Sequence, residues 1–284
     1  MGALQLTVTG TVLGSAVLHA TWNAIAHAVR DKLVTFTLIT LTYTVAGGVA
    51  VLLVARPSPA AWPFLAASAA LHAVYNLLLM QAYRLGDFNQ AYPLGRGTSP
   101  WVVAIISTVV IGEVLGPVHL AGVVVVSAGL ATLVFGGGLP SRRQLPALAA
   151  AFGTGLAIAA YTVVDGLGVR LAHSVGGYAA WLFLLQGPTI PILALAWRRR
   201  ELVGQLRGPW LFGLVGGLLS MVAYALVLWA QTVGSLAPIA ALRETSVIMG
   251  AIIGAVVFHE GFGRTRIVAT VLVVGGIFLL NVGS

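Results

Sequence analysis

Residues 96–133 read RGTSPWVVAIISTVVIGEVLGPVHLAGVVVVSAGLATL and residues 243–280 read RETSVIMGAIIGAVVFHEGFGRTRIVATVLVVGGIFLL, with 14 of the 38 positions identical at an offset of 147. The identities fall in order. Arg96, Thr98 and Ser99 return as Arg243, Thr245 and Ser246; Ala104-Ile105-Ile106 returns as Ala251-Ile252-Ile253; Glu113 returns as Glu260 and Gly129 as Gly276. A period of about half the chain is not that of a solenoid. It divides the sequence into two copies, 1–138 and 139–284, each with an arginine and a glutamate amid apolar residues. In a hydrophobic protein, two such halves are what many secondary transporters are made of.

Hydrophobic residues make up 59% of the chain and charged residues 8%, with a mean hydropathy of +0.99. A soluble domain carries about 25% charged residues, and so few could not cover a soluble surface; the composition is that of a protein in a lipid bilayer. The formal charge of +8 then reads as cations that fix membrane orientation rather than as a nucleic-acid surface. The chain has no cysteine, which removes disulfides and thiolate metal sites from the argument. The first six residues carry no charge, so no basic signal-peptide region precedes the first apolar stretch, which is expected to be a retained helix.

Apolar runs of about 20 residues, the length that crosses a bilayer, fall near 7–29, 33–55, 61–83, 89–111, 116–136, 146–169, 177–197, 209–231, 237–258 and 266–283. The expectation is an all-α membrane protein with ten transmembrane helices. The 35 glycines suit close helix approach in lipid. Pro100, Pro188 and Pro191 lie inside spans and are expected to kink them. The alternate connections that begin with the one between spans 1 and 2 hold eleven cations, Arg198-Arg199-Arg200 among them; the opposite side holds only Arg56 and Arg170. Cations collect in the cytoplasm, so both termini are expected outside. Five spans per copy is an odd number. The copies must therefore enter the membrane in opposite directions, as two inverted five-helix repeats, the geometry of alternating access around a midplane site.

Arg96 and Arg243 remain once the loop cations are set aside. Each lies some seven residues, or roughly 10 Å, inside its span, where an arginine costs at least ~2.5 kcal/mol unless water or a partner meets it. One reading makes them anion ligands facing a central cavity, flanked by the hydroxyls of Thr98, Ser99, Thr245 and Ser246. The other has them snorkel to the interface or bond a backbone carbonyl at a kink. Glu244 breaks the symmetry, since its counterpart is Gly97. It is a candidate for a substrate ammonium or a coupling proton, or else for a bridge to an arginine on a neighbouring helix. Glu113 and Glu260 end their spans before Gly-containing turns, where capping the next helix's first N–H groups is the expected role.

A shorter echo links Leu18-His19-Ala20-Thr21-Trp22-Asn23 to Leu71-His72-Ala73-Val74-Tyr75-Asn76. Each sets a histidine, an aromatic and an asparagine on one helix face. Such a face belongs inside the bundle, because lipid leaves its donors unsatisfied. There Trp22, Asn23, Tyr75 and Asn76, with His19 and His72, form either a cavity wall or polar glue between helices. Tyr92, Tyr161, Tyr224 and Trp229 are further wall candidates. Asp165, five residues before Arg170, is placed near the outer interface, with proton coupling or amine binding as its alternative role. The six histidines show no metal-ligand spacing. No Walker lysine loop or dinucleotide fingerprint is present. Neither metal, cofactor nor direct ATP drive is expected.

The run Ala82-Tyr83-Arg84-Leu85-Gly86, then Tyr92-Pro93, then Ile111-Gly112-Glu113, resembles the EamA repeat of the drug/metabolite transporter superfamily. Ala230 through Gly234, Pro238, His259-Glu260 and Gly275-Gly276 resemble it a second time, with His259 standing where a small residue is usual. The histidine-bearing face of span 1 and the Arg-Gly-Thr-Ser and Arg-Glu-Thr-Ser stretches are similar to a branch labelled phosphonate-associated. The resemblance implies five plus five spans and transport of amino acids, nucleotide sugars, organic phosphates or small drugs, usually by export or exchange. The resulting expectation is an inner-membrane secondary transporter, not an enzyme, for a small anionic or zwitterionic metabolite. Its partners are that small polar metabolite and the lipid bilayer, with no nucleic acid, as a monomer or weak homodimer. The rivals are a multidrug or cationic-metabolite exporter and a membrane-embedded enzyme that uses His19, His72 and Asp165 on a lipid-linked substrate.

Overall fold

The computed structural model of the protein describes residues 3–86, 88–112, 116–135, 142–199, 201–256 and 264–282. Glu113, Glu260 and His259 lie outside these residues, as does Arg200. The described residues form helices and no strands. That follows from a chain too apolar to leave backbone groups to water, since an α-helix bonds them within itself.

The helices are α1 (Ala3–Ala28), α2 (Lys32–Ala50), α3 (Trp62–Leu85), α4 (Phe88–Ile106), α5 (Pro117–Phe135), α6 (Leu145–Leu171), α7 (Val175–Gln186), α8 (Thr189–Arg198), α9 (Glu201–Leu206), α10 (Trp210–Val233), α11 (Leu236–Arg243), α12 (Ser246–Val256) and α13 (Arg264–Val282). Among the described residues, six stretches are long and apolar enough to cross a membrane: α1, α2, α3 with the turn before it, α6, α7 with α8, and α10. Shorter apolar stretches lie at Pro117–Gly129 in α5 and Ile267–Gly276 in α13.

Local sequence explains the boundaries. The Asp31 carboxylate accepts the Val34 amide at 3.2 Å and starts α2, and the Ser174 hydroxyl does the same for Gly177 at the head of α7. Pro63 and Pro146 sit in first turns, where a missing N–H costs nothing. The expected kink at Pro188 appears as a two-residue turn between α7 and α8, whereas α4 runs on through Pro100. Its last turn widens into a π-helical turn, Ser107–Ile111, closed by Gly112 at φ 76°, a left-handed conformation that favours glycine. Helix α3 ends at Gly86 and α10 at Gly234 with nearly the same extended backbone, each amide bonding the carbonyl four residues back.

Polar residues inside the apolar helices bond to their own helix. The hydroxyls of Thr37, Thr40, Thr42, Thr98 and Thr154 each reach the carbonyl four residues earlier at 2.7–3.0 Å, which removes the cost of an unpaired donor. Large side chains such as Leu52, Leu53 and Val109 stand exposed on the outer faces, as a bilayer allows.

The packing between the copies is reciprocal. Helix α1 packs on α10, and α3 packs on α6; α1 also packs on α11 and α12, and α4 on α6; α2 packs on α10, and α3 on α7. Equivalent helices meet directly as well: α2 with α7 and α8, α4 with α11 and α12, α5 with α13. At the last contact a Cβ added to Gly129 would stand 3.0 Å from the Ala269 carbonyl oxygen. One added to Gly276 would stand 2.9 Å from the Gly122 carbonyl oxygen and 2.8 Å from the Val126 nitrogen. The earlier residue of one helix thus faces the later residue of the other, so α5 and α13 run antiparallel.

Candidate functional site

The second copy's arginine sits where its helix stops. Arg243 is the last residue of α11, and Ser246 is the first of α12. Between them the amides of Glu244 and Thr245 bond carbonyls three residues back, to Ala241 and Leu242 at 3.1 Å. This tight turn separates α11 from α12, and the side chains of Arg243, Glu244, Thr245 and Ser246 are buried there. Discontinuous helices of this kind hold substrates and ions near the midplane in many transporters. In the first copy the equivalent Arg96 lies within unbroken α4.

The two arginines converge on one carboxylate. Glu244 Oε2 is 3.7 Å from Arg96 Nη1, and Glu244 Oε1 is 3.5 Å from Arg243 Nε. Arg96, Arg243 and Glu244 are all buried. Arg243 Nη2 reaches Thr162 Oγ1 on α6 at 3.4 Å, and the Arg96 guanidinium lies 5.5 Å from the Tyr92 ring centre, a cation–π distance. At 3.5–3.7 Å the carboxylate contacts are ion pairs rather than close hydrogen bonds. Arg243 Nη1 has no hydrogen-bond acceptor among the described residues. Glu244 thus lies between Arg96 of the neighbouring α4 and its own chain neighbour Arg243. Two guanidinium groups share this carboxylate, and some of their donors remain unused among the described residues.

Beside this triad stands a cluster of rings. His72 stacks on Tyr161 with centroids 4.0 Å apart, and Tyr224 meets both edge-on at 5.2 and 5.7 Å. Tyr75 stands edge-on to Tyr161 at 5.5 Å. The Trp22 indole donates to His19 Nδ1 at 3.0 Å, and His19 Nε2 has no partner among the described residues. Together with Asn76 these groups wall a cavity with about 20 Å³ open to a water molecule, room for about one water. Anything larger than a water would enter only if the walls parted. Behind them Asp165 accepts hydrogen bonds from the hydroxyls of Tyr178, at 2.7 Å, and Tyr224. Asp165 is fully buried within the protein, six residues before the end of α6.

Other candidates fall outside the cavity wall. Asn23 accepts a hydrogen bond from the Tyr83 hydroxyl at 2.7 Å and donates to the His19 carbonyl at 2.8 Å, so it joins α1 to α3. Thr98 bonds the Leu94 carbonyl at 2.8 Å and packs against Gly155 of α6. Ser99, Thr245 and Ser246 are buried around the arginines. Trp229 is half-buried and is not among the cavity residues.

Sequence reading missed Tyr43 and Ser220, which share a 2.7 Å hydrogen bond at the cavity, and Phe183 and Gln186, which also line it. It missed Tyr178 as the partner of Asp165. Ser68, one turn before His72 and bonded to its Nδ1 at 3.1 Å, carried a signal in its i, i+4 spacing. The lone aromatics in apolar runs carried none.

Residues 145–282 match the EamA-like transporter family, in accord with the drug/metabolite transporter superfamily. No curated protein matches the chain. Among solved structures, a crystal structure described only as a protein matches with a TM-score of 0.74 at 18% identity, over 96% of this chain and 97% of the other. At that identity the likeness shows a common fold. The family match and the apolar helices together indicate a multi-pass membrane protein of the transporter type.

Proposed function

We propose that the protein is a secondary transporter of a small zwitterionic or anionic metabolite, such as an amino acid or a phosphonate, working by alternating access between two inverted five-helix halves. The observation that carries this reading is the buried triad in which Arg96 and Arg243 share the single carboxylate of Glu244. A buried charge is costly unless paired. One carboxylate for two guanidinium groups leaves room in the charge balance for the acid group of a solute. An arginine fork suits that role, because it bonds a carboxylate or phosphonate with two parallel hydrogen bonds. The adjacent cluster of Tyr75, Tyr161 and Tyr224, backed by Asp165, suits the ammonium group of a zwitterion through cation–π attraction. Glu244 then has two uses. Ionised, it neutralises the arginines when no solute is bound; protonated, it frees them, which would tie transport to a proton.

Ten spans follow if α4 with its last turn, α5, α11 with α12, and α13 cross the membrane beside the six longer stretches. The reciprocal packing and the antiparallel run of α5 against α13 support inversion, because parallel copies would set equivalent helices parallel. On this reading the chain lies in the inner membrane with both termini outside, and it exports or exchanges its solute.

A second reading, export of cationic metabolites or drugs, draws on the same rings and on the buried carboxylate of Asp165. Purified protein in liposomes, challenged with labelled amino acids, phosphonates and quaternary amines, separates the two. Uptake or exchange of solutes bearing an acid group supports the first. Movement of the amines alone replaces it with the second, and movement of none refutes transport of all three solute classes.

A further inference from the structure

The face on which α1 and α3 end opens a cleft of about 690 Å³, within the usual range for small-molecule sites. Arg30, Lys32, Arg84 and Arg198 line it, and Asp31 is the acid among the described lining residues. They come from three separate stretches of chain: the α1–α2 turn, the last turn of α3 and the end of α8. The fold, not a run of basic sequence, brings them to one mouth.

Two of the four cations are anchored. Lys32 Nζ donates to the carbonyls of His27 and of Val29, the latter at 2.9 Å. Arg198 grips both oxygens of Asp31 and donates to Gln205 Oε1 at 2.7 Å. Burial tends to raise the Asp31 carboxyl, but hydrogen bonds from Arg198 and the Val34 amide outweigh it and hold the group below its ordinary value. Asp31 is therefore ionised and neutralises Arg198. Arg30, Lys32 and Arg84 remain as a like-charged group around an open cleft, an arrangement that focuses field on an anion.

The floor of the cleft leads inward. Buried Tyr83 lines it and bonds Asn23 of α1. Its ring meets Phe88 at 5.7 Å, and Phe88 stacks on Tyr92 at 4.9 Å, the ring beside Arg96. The exposed Trp197 indole gives the rim an apolar wall.

We propose that this cleft is a second anion site, separate from the central triad, that takes a phosphate-bearing group on Arg30, Lys32 and Arg84. The forks of Arg30 and Arg84, with the one N–H that Lys32 Nζ keeps beyond its two carbonyl bonds, match the charge and the acceptor oxygens of a phosphate. A soluble organophosphate and the headgroup of an anionic lipid share that chemistry. The site does not depend on the transport reading, and its test can fail independently.

Full-length protein in phosphatidylcholine nanodiscs is titrated with glycerol 3-phosphate at constant ionic strength, and Tm is followed; a second arm replaces part of the lipid with phosphatidylglycerol and omits the soluble phosphate. A rise in Tm in the first arm identifies a soluble ligand, and a rise confined to the second identifies a headgroup; either supports the site. Arg30→Gln with Arg84→Gln should abolish the rise or weaken the apparent Kd by about tenfold or more. Both residues are exposed, and the Tm of the unliganded variant verifies its fold. Arg243→Lys, which alters only the central triad, should leave the response intact. No rise in either arm overturns the proposal. So does a rise that survives the double substitution, or one that Arg243→Lys removes.

Discussion

Arg96 of the first copy lies 3.7 Å from Glu244 of the second, with both side chains shut away from solvent. The position equivalent to Glu244 in the first copy is Gly97. One carboxylate therefore serves two repeat-related arginines, and the site is asymmetric where the fold is reciprocal. On the proposed reading the asymmetry has a use: a second glutamate would neutralise both arginines and leave no charge for a solute.

Replacing Arg96 or Arg243 by lysine keeps the charge and removes the planar fork. Each change is expected to weaken binding of an acid-bearing solute by about 1.5–3 kcal/mol, the range for a charge-assisted hydrogen bond, with little change in membrane level. Equilibrium binding to purified protein measures this. Unaltered affinity in both variants would remove the arginines from the anion site and favour the cationic-solute reading.

Glu244→Gln leaves two buried guanidinium groups without their common partner. Breaking a buried pair costs about 3–5 kcal/mol, so the unliganded variant should unfold at lower temperature. An acid-bearing ligand should then raise Tm more in the variant than in the parent, because it supplies the missing charge. A variant with parental stability and a parental ligand response would show that Glu244 does not hold the arginines.

Much of this was legible in the sequence, and the parts that were not share a cause. The repeat from Arg96 and Arg243 pointed to two equivalent buried cations, and the histidine–aromatic–asparagine echo pointed to polar helix faces, because both are local patterns. Pairing across helices is not local. The sequence places Glu244 beside Arg243 but carries no signal that Arg96 reaches it from α4. Nor does the spacing of Asp165 and Arg170 reveal their partners: Arg170 extends to the carbonyls of Gln231 and Gly234, while Asp165 accepts from Tyr178 and Tyr224. Trp229 shares a helix with Tyr224 but not its face, and five positions of 100° each separate the two.

The cavity wall makes its own prediction. The chain has no cysteine, so single cysteines report access directly. Cysteines at Trp22, Tyr75 or Asn76 should react with a water-borne thiol reagent once the walls part, and bound solute should slow them. A cysteine at Asn23, tied to Tyr83, should react less. Cysteines at the first three positions that stay unlabelled with and without solute would make that face a packed interface instead.

Orientation is open to a separate measurement. On the proposed orientation both termini lie outside and Arg198-Arg199 inside, because cations collect in the cytoplasm. A C-terminal phosphatase fusion should be active, and a fluorescent protein that matures only in the cytoplasm should stay dark. The reverse pattern would invert the whole assignment, and with it the side on which the basic cleft opens.

Two neighbouring glycines test the antiparallel contact of α5 with α13. A Cβ at Gly276 would stand 2.8 Å from the Val126 nitrogen and 2.9 Å from the Gly122 carbonyl oxygen. These are backbone atoms that cannot turn aside, so relief requires the helices to separate. At Gly275 a Cβ meets nothing within 4 Å, and alanine is the better helix former by about 1 kcal/mol. Gly276→Ala should therefore destabilise by about 1–3 kcal/mol, as overpacking does, while Gly275→Ala should be neutral or stabilising. Gly129→Ala, facing the Ala269 carbonyl oxygen at 3.0 Å, should cost about as much as Gly276→Ala, because the two glycines occupy equivalent places in one reciprocal contact. Thermal unfolding of the three variants in the same detergent decides it. If Gly275→Ala costs as much as Gly276→Ala, or Gly129→Ala is silent, α5 and α13 do not pack through these glycines and the argument for inverted copies loses its closest contact.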